Sequence, residues 1–315
     1  MTARFGDTEL DAERQRALRS AVRLQVGALV YLVSVVALMT AVMGNSQAMK
    51  AALAEDVLAL LPPIAFLLAV RRVRRRTSEE YPYGHHRAVS TGHLAASVAL
   101  LAMGLFVMGD SALTLITQEH PTLGTFHLFG TTIWQGWVMI PVLVYTGLPN
   151  IVLGRIKLRL SDTLHDKVLF ADAEMNKGDW LTAGGAILGI IGIGIGWWWA
   201  DSAVAIAIAA TIVKDGVSNL RGAVADLADR RARTYDDSEI HPCVDQVKRF
   251  FEQLPWVGEV SVRMRDMGHV FHTEVFVVPA SGEAPLAELE RARSEASGMD
   301  WRLDDLVVVP VRTLP

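Results

Sequence analysis

Charged residues leave long stretches of this chain untouched. Leu24–Met43 holds none, and Ala51–Val70 holds only Glu55 and Asp56. Ala88–Ile116 encloses His93 and Asp110, and Ile133–Leu153 is free of charge. Trp180–Trp199 is apolar and glycine-rich, with its helix expected to begin near His165. Asp201–Val213 is short, with an apolar continuation to about Leu220. A helix needs about 20 mostly apolar residues to cross a bilayer. The pattern therefore predicts six transmembrane helices.

The texture changes from about Asp236. Pro242–Leu254 places Val244, Val247, Phe250, Phe251 and Leu254 at helical spacing. Gly258–Arg265 and Val270–Val278 alternate like strands around a turn at Met267-Gly268, Leu286–Ala296 is a charged helix, and Leu306–Val311 is a last strand. The order α-β-β-α-β predicts a small α+β domain with helices on one face of a sheet, too polar to enter the membrane. The expected organisation is an N-terminal segment (1–23), a transport domain (24–233) and a dimerisation domain (234–315).

Composition excludes several other classes. Hydrophobic residues make up 51% and charged residues 20%, against about a quarter charged in a soluble protein. A net charge of −4 argues against a general nucleic-acid binder, and one cysteine, Cys243, rules out a disulfide framework. No nucleophile–base constellation or phosphate-binding glycine loop suggests an enzyme. The first twenty residues are polar and lack the apolar core of a secretory signal. Arginines and lysines concentrate at the N-terminus, after the second span (Arg71–Arg76, Arg87) and after the fourth (Arg155–Lys167); the alternate loops are nearly bare. By the positive-inside rule both termini face the cytosol, in a cell (inner) membrane.

Ionisable residues within a span are costly and mark function. Asp172, Asn176 and Asp179 fall at i, i+4, i+7 and share a helical face, with Met175 beside it. Asp56 lies fifteen residues from Arg71 and Asp179 twelve from Lys167, about 22 Å and 18 Å along a helix at ~1.5 Å per residue. The two carboxylates thus sit within about one turn in height. At one level in hydrocarbon they repel unless a divalent ion or protons lie between them. Asp172, nearer the cytosol, is placed to guide an ion. Glu55 diverges from Asp56 by ~100° and is an even candidate. Glu174 is expected to pair outward with Lys177 or Arg159. His93 and Asp110 are expected to bond neighbouring helices, and the Gly185/Gly189/Gly192/Gly196 stripe to serve packing. Pro62-Pro63 must kink the second helix. His269 and His272 alternate outward on a strand, where a solvated face is the expectation.

These residues together resemble the cation diffusion facilitator family. TSEEYPYGHHR is similar to its Pro-Tyr-Gly-His loop, ADAEMNKGDW with AILGIIGIGIGWWWADSAVAI to its fifth and sixth helices, and NLRGAVADLADR to the junction with its cytosolic domain. The resemblance covers nearly the whole chain. It implies a homodimeric exporter that exchanges a divalent metal ion for protons by alternating access. It also implies a metal site of paired residues on helices two and five. Here Asp179 is kept, but the histidine slot holds Met175, and helix two offers Asp56 and Glu55 in a register displaced by less than a turn. His85, with His86, matches a loop position that binds metal in relatives. A site of Asp56, Glu55, Asp179 and Asn176 offers oxygens and no imidazole, which favours manganese or iron(II) over zinc. Alternatives are a zinc or cobalt exporter of the same family, a transport-inactive partner subunit, and a transporter of another solute that uses the acidic pair for protons.

Overall fold

The computed structural model describes residues 12–42, 56–73, 75, 78–118, 125–128, 131–197, 199–303 and 305–315. Its helical part contains α1 (Ala12–Val42), α2 (Leu61–Val73), α3 (Ala88–Ile116), α4 (Gln135–Leu164), α5 (Lys167–Gly194) and α6 (Ala200–Leu227). Three described segments are long and apolar enough to cross a membrane: Ala12–Ala37, Ala88–Ile116 and Ser202–Leu227.

α1 begins well before the apolar run that predicts it. Its polar first turns are held down by Leu18 and Ala21, which bury against Phe66, Ala69 and Val70 of α2 and Leu164, Val168 and Leu169 around the α4–α5 corner. Between α3 and α4, in the loop that carries no lysine or arginine, lies a short antiparallel hairpin, β1 (Thr125–Leu128) with β2 (Thr131–Trp134). Ile133 and Trp134 belong to β2, so α4 starts at Gln135. α3 packs most extensively on α6, and α4 on α5. Small residues permit the α5–α6 approach: a Cβ at Gly185 would stand 2.5 Å from Ile208 Cδ1. Gly192 likewise faces Ala200, from which a Cβ would stand 2.7 Å, whereas Gly196, beyond the end of α5, faces nothing within 4 Å, so the packing role expected of the stripe falls to Gly185 and Gly192.

The C-terminal domain runs α7 (Cys243–Glu252), β3 (Val257–Asp266), β4 (Phe271–Pro279), α8 (Leu286–Ser297) and β5 (Asp305–Pro310). The sheet order is β3-β4-β5, with β3 antiparallel and β5 parallel to β4. Val244, Val247 and Phe251 of α7 and Ala292 and Ala296 of α8 bury against Val262, Val275 and Val277. Both helices therefore cover one face of the sheet, as the alternation of the strands requires.

The β3–β4 turn docks this domain onto the helices. Gly268 has φ +101, and a Cβ there would stand 2.8 Å from both His86 O and Val89 Cβ at the start of α3. Only glycine gives the turn this shape and this approach. Beside it, Lys167 Nζ reaches Asp226 at 2.5 Å, Asp237 at 2.9 Å and Asp266 at 3.3 Å. Arg230 holds Asp226 and Asp237 from the other side. Burial alone would raise the Asp266 carboxyl; the Lys167 ammonium, followed by His165, outweighs burial and holds it well below the usual carboxylate range.

His241 lies inside this junction and pushes the other way. Burial, then Arg302 and His165, lowers its imidazole from 6.5 to about 4. The folded state keeps His241 neutral while an unfolded chain protonates it. Stability is thus complete above pH 6.5 and declines as pH falls from 6.5 toward 4. His241→Asn should flatten that decline, read as the melting temperature of the full chain at pH 7.5 and pH 5; an unchanged slope refutes this account.

Candidate functional site

Asp56 lies in a helical segment, described over 56–58, that breaks at Ala59–Leu60, just before α2. The break has a chemical cause. Pro62 and Pro63 have no N–H, so the carbonyls of Leu58 and Ala59 lose the donors that an unbroken helix would offer. In the first turn of α2 the same prolines are tolerated, since N–H groups there have no helical partner. Leu60 N–H bonds back to Val57 O at 3.2 Å, the tighter i→i−3 pattern. The kink expected from the sequence is therefore a full interruption, and Asp56 stands on its far side. Glu55 lies outside the described residues.

Asp56 is half-buried and, among the described residues, makes no hydrogen bond or ion pair. Asp179, also half-buried, comes from α5. Both carboxylates act electrostatically on the phenol of Tyr31 in α1, Asp179 the more strongly. That phenol donates toward Tyr145 O and Thr146 O of α4, each at 3.1 Å. Tyr31 thus marks a point where α1, the head of the second helix, α4 and α5 meet. Two acidic residues far apart in sequence thus both lie in the neighbourhood of this phenol.

The other face-sharing residues of α5 have partners. Asn176 Nδ2 donates to Asn150 Oδ1 of α4 at 2.9 Å. Asp172 is fully buried; its carboxylate pairs with Lys157 Nζ at 2.8 Å and accepts a bond from Gln25 Nε2. Asp172, expected to guide an ion, thus already has a buried ammonium as its partner. Met175, 1% exposed, packs among Leu32, Ala59, Ala99, Leu100, Met103 and Ile212. Glu174 pairs with Lys177 at 3.0 Å, which also reaches Asp215 at 3.0 Å. His93 meets Asn219 of α6 at 3.5 Å, while Asp110 is exposed.

The peripheral histidines fall into separate surroundings. His85 stacks near Tyr81, with ring centroids 4.4 Å apart, while His86 is buried under the Gly268 turn. His269 and His272 do not sit on a solvated face. His269 lies in the turn, 3.1 Å from Leu164 O and 3.5 Å from Asp166, because that turn is docked on the helices. His272 touches Asp305 of β5 and lies 3.4 Å from Glu274. Among the described residues no group of three or more His, Cys, Asp or Glu side chains is gathered closely enough to hold a metal.

Sequence reasoning passed over Tyr31, Gln25, Asn150 and Lys157. Lys157 was counted as a loop cation, yet Asn150, Lys157 and Ser161 recur at i, i+7, i+11 and are all buried on α4. That polar period was the available signal.

The comparisons with known proteins bear on the same helices. A family model described as the cation efflux transmembrane domain matches residues 24–228. The chain belongs to the cation efflux family. The manganese efflux system protein MneS of Bacillus subtilis is similar at 24% identity over 280 residues, covering 86% of this chain and 89% of that one. The cation-efflux pump FieF of Shewanella oneidensis is similar at 25% identity over 237 residues, covering 73% of each. This member of the cation efflux family is therefore similar along most of its length to a manganese efflux system protein and a cation-efflux pump.

Two substitutions probe the surroundings of the site. Lys157→Met leaves Asp172 buried without its cation and should cost about 3–5 kcal/mol. Adding Asp172→Asn should restore much of it. A single variant that melts with the wild type in detergent contradicts the pairing. Met175→Ala should cost about 2–5 kcal/mol by opening a cavity, and Met175→Leu under about 1.5 kcal/mol. Metal selectivity that changes in Met175→Leu without loss of stability would instead put the thioether against the ion.

Proposed function

We propose that this protein exports a divalent metal cation in exchange for protons, with Asp56 and Asp179 as the principal ligands. What supports the reading is that Asp56 and Asp179, from separate helices, both lie close enough to the Tyr31 phenol for their charges to be felt there. In this reading the two carboxylates flank a doubly charged ion between the helices. Carboxylates bind metal only when deprotonated, so metal and protons compete for the same oxygens. Protons on the far side displace the ion, and the protonated site returns.

The donor chemistry favours manganese or iron(II). Asp56 and Asp179 offer carboxylate oxygen, the broken helix offers the carbonyls of Leu58 and Ala59, and neither residues 51–73 nor 167–194 include a histidine. Oxygen-rich sets suit hard ions, whereas imidazole suits zinc. The similarity to a protein named for manganese efflux supports the same choice. In this reading six helices cross the membrane, both termini face the cytosol, and the C-terminal domain joins two copies. Alternating access arises from rocking of the helices around the site.

The test uses purified full-length protein in proteoliposomes carrying an outward-directed proton gradient. Asp179→Asn and Asp56→Asn should each lower manganese uptake at least tenfold while eluting like the wild type on gel filtration. Wild-type flux in Asp179→Asn overturns the assignment. Absence of flux in the wild type itself would leave the chain as a transport-inactive partner subunit.

A further inference from the structure

A groove of about 660 Å³ runs between α2 and α3, away from the carboxylates. Its α2 wall is Leu61, Ile64 and Leu68, each exposed, and its α3 wall carries small residues, Thr91, Gly92 and Ala95. Large side chains on one helix facing small ones on the other leave the channel open. Gly92 lets the helices touch at its floor, where a Cβ would meet Ala69 at 3.3 Å. From Leu61 to Arg72 the wall rises roughly 16 Å at ~1.5 Å per residue. That is about half of a ~30 Å hydrocarbon core, the depth of one leaflet.

The end of the groove nearest the C-terminal domain is polar and basic. Arg72, Arg87, His85 and Tyr81 line it. Arg87 is committed to Asp229 and to Leu227 O. Arg72 is exposed and makes no ion pair among the described residues. Glu79 and Glu80, in the adjoining loop, do not line the groove.

We propose that this groove seats one anionic phospholipid from the leaflet on the side of the C-terminal domain. An acyl chain lies along Leu61, Ile64 and Leu68, and the headgroup phosphate bonds Arg72, beside Tyr81 and His85. Basic pockets between membrane helices select anionic headgroups in this way. The loop that closes the groove leads directly into His86 and Val89, where the Gly268 turn docks. A bound lipid would therefore brace α2 against the junction between the two domains. This rests on the membrane reading of the helices but not on the identity of the transported ion.

The experiment is native mass spectrometry of the full chain purified in detergent with equal amounts of phosphatidylglycerol and phosphatidylcholine. The wild type should retain phosphatidylglycerol at least fivefold over phosphatidylcholine. Arg72→Glu should lose that excess, and so should Ala95→Phe, which fills the groove without touching charge. Arg71→Glu removes a cation from the same helix end but not from the groove, and should stay within twofold of the wild type. Equal losses in Arg71→Glu and Arg72→Glu would reduce the effect to general surface charge and overturn the proposal. So would high-yield cross-linking between two copies of a Leu68→Cys variant, which would give the groove to a second protein chain. Transport failure in the wild type leaves all of these readings intact.

Discussion

A carboxylate removed from water must have a cation beside it, and this requirement organises the protein. Burying an ion costs several kcal/mol that only a close counter-charge and hydrogen bonds recover. The chain answers in two ways. Asp172 receives Lys157, reinforced by Gln25, and Asp226, Asp237 and Asp266 receive Lys167 and Arg230. These are fixed cations, and they tie helices to each other and the helices to the C-terminal domain. Asp56 receives no such lysine or arginine among the described residues, and it shares the Tyr31 phenol with Asp179. In the transport reading, the cation at that point is the cargo.

Fixed and mobile charges are arranged in order along α5. Lys167 anchors its first turn in the junction, Asp172 is locked to α4, Asn176 is bonded to Asn150, and Asp179 stands at the meeting point of four segments. The same helix therefore contacts the C-terminal domain at one end and the proposed ion site twelve residues on. The buried packing of Met175 beside that track holds α5 against α3 and α6, through Met103 and Ile212.

Much of this was legible in the sequence. Charge-free runs gave the helices, strand alternation and a Met-Gly turn gave the C-terminal sheet, and the i, i+4, i+7 spacing marked the polar face of α5. The family resemblance also stands. What sequence could not supply were contacts made across elements. Asp172 looked like a guide for ions because Lys157 belongs to a helix whose register was unknown. His269 looked solvated because docking of its turn depends on tertiary shape, and His272 because its partner Asp305 comes from β5. The start of α1 was hidden because its polar turns are stabilised by Phe66 and Leu164, not by an apolar run of their own. The interruption at Ala59–Leu60 was foreshadowed by Pro62-Pro63, but its sharpness was not.

The most direct test is to locate the ion. Crystals or frozen grids of the protein equilibrated with manganese should show a single strong metal peak between the side chains of Asp56 and Asp179, near the Tyr31 hydroxyl, confirmed by anomalous scattering at the manganese edge. A metal peak confined to the C-terminal domain or the His85 loop, with the space between Asp56 and Asp179 free of metal at saturating manganese, would contradict the account.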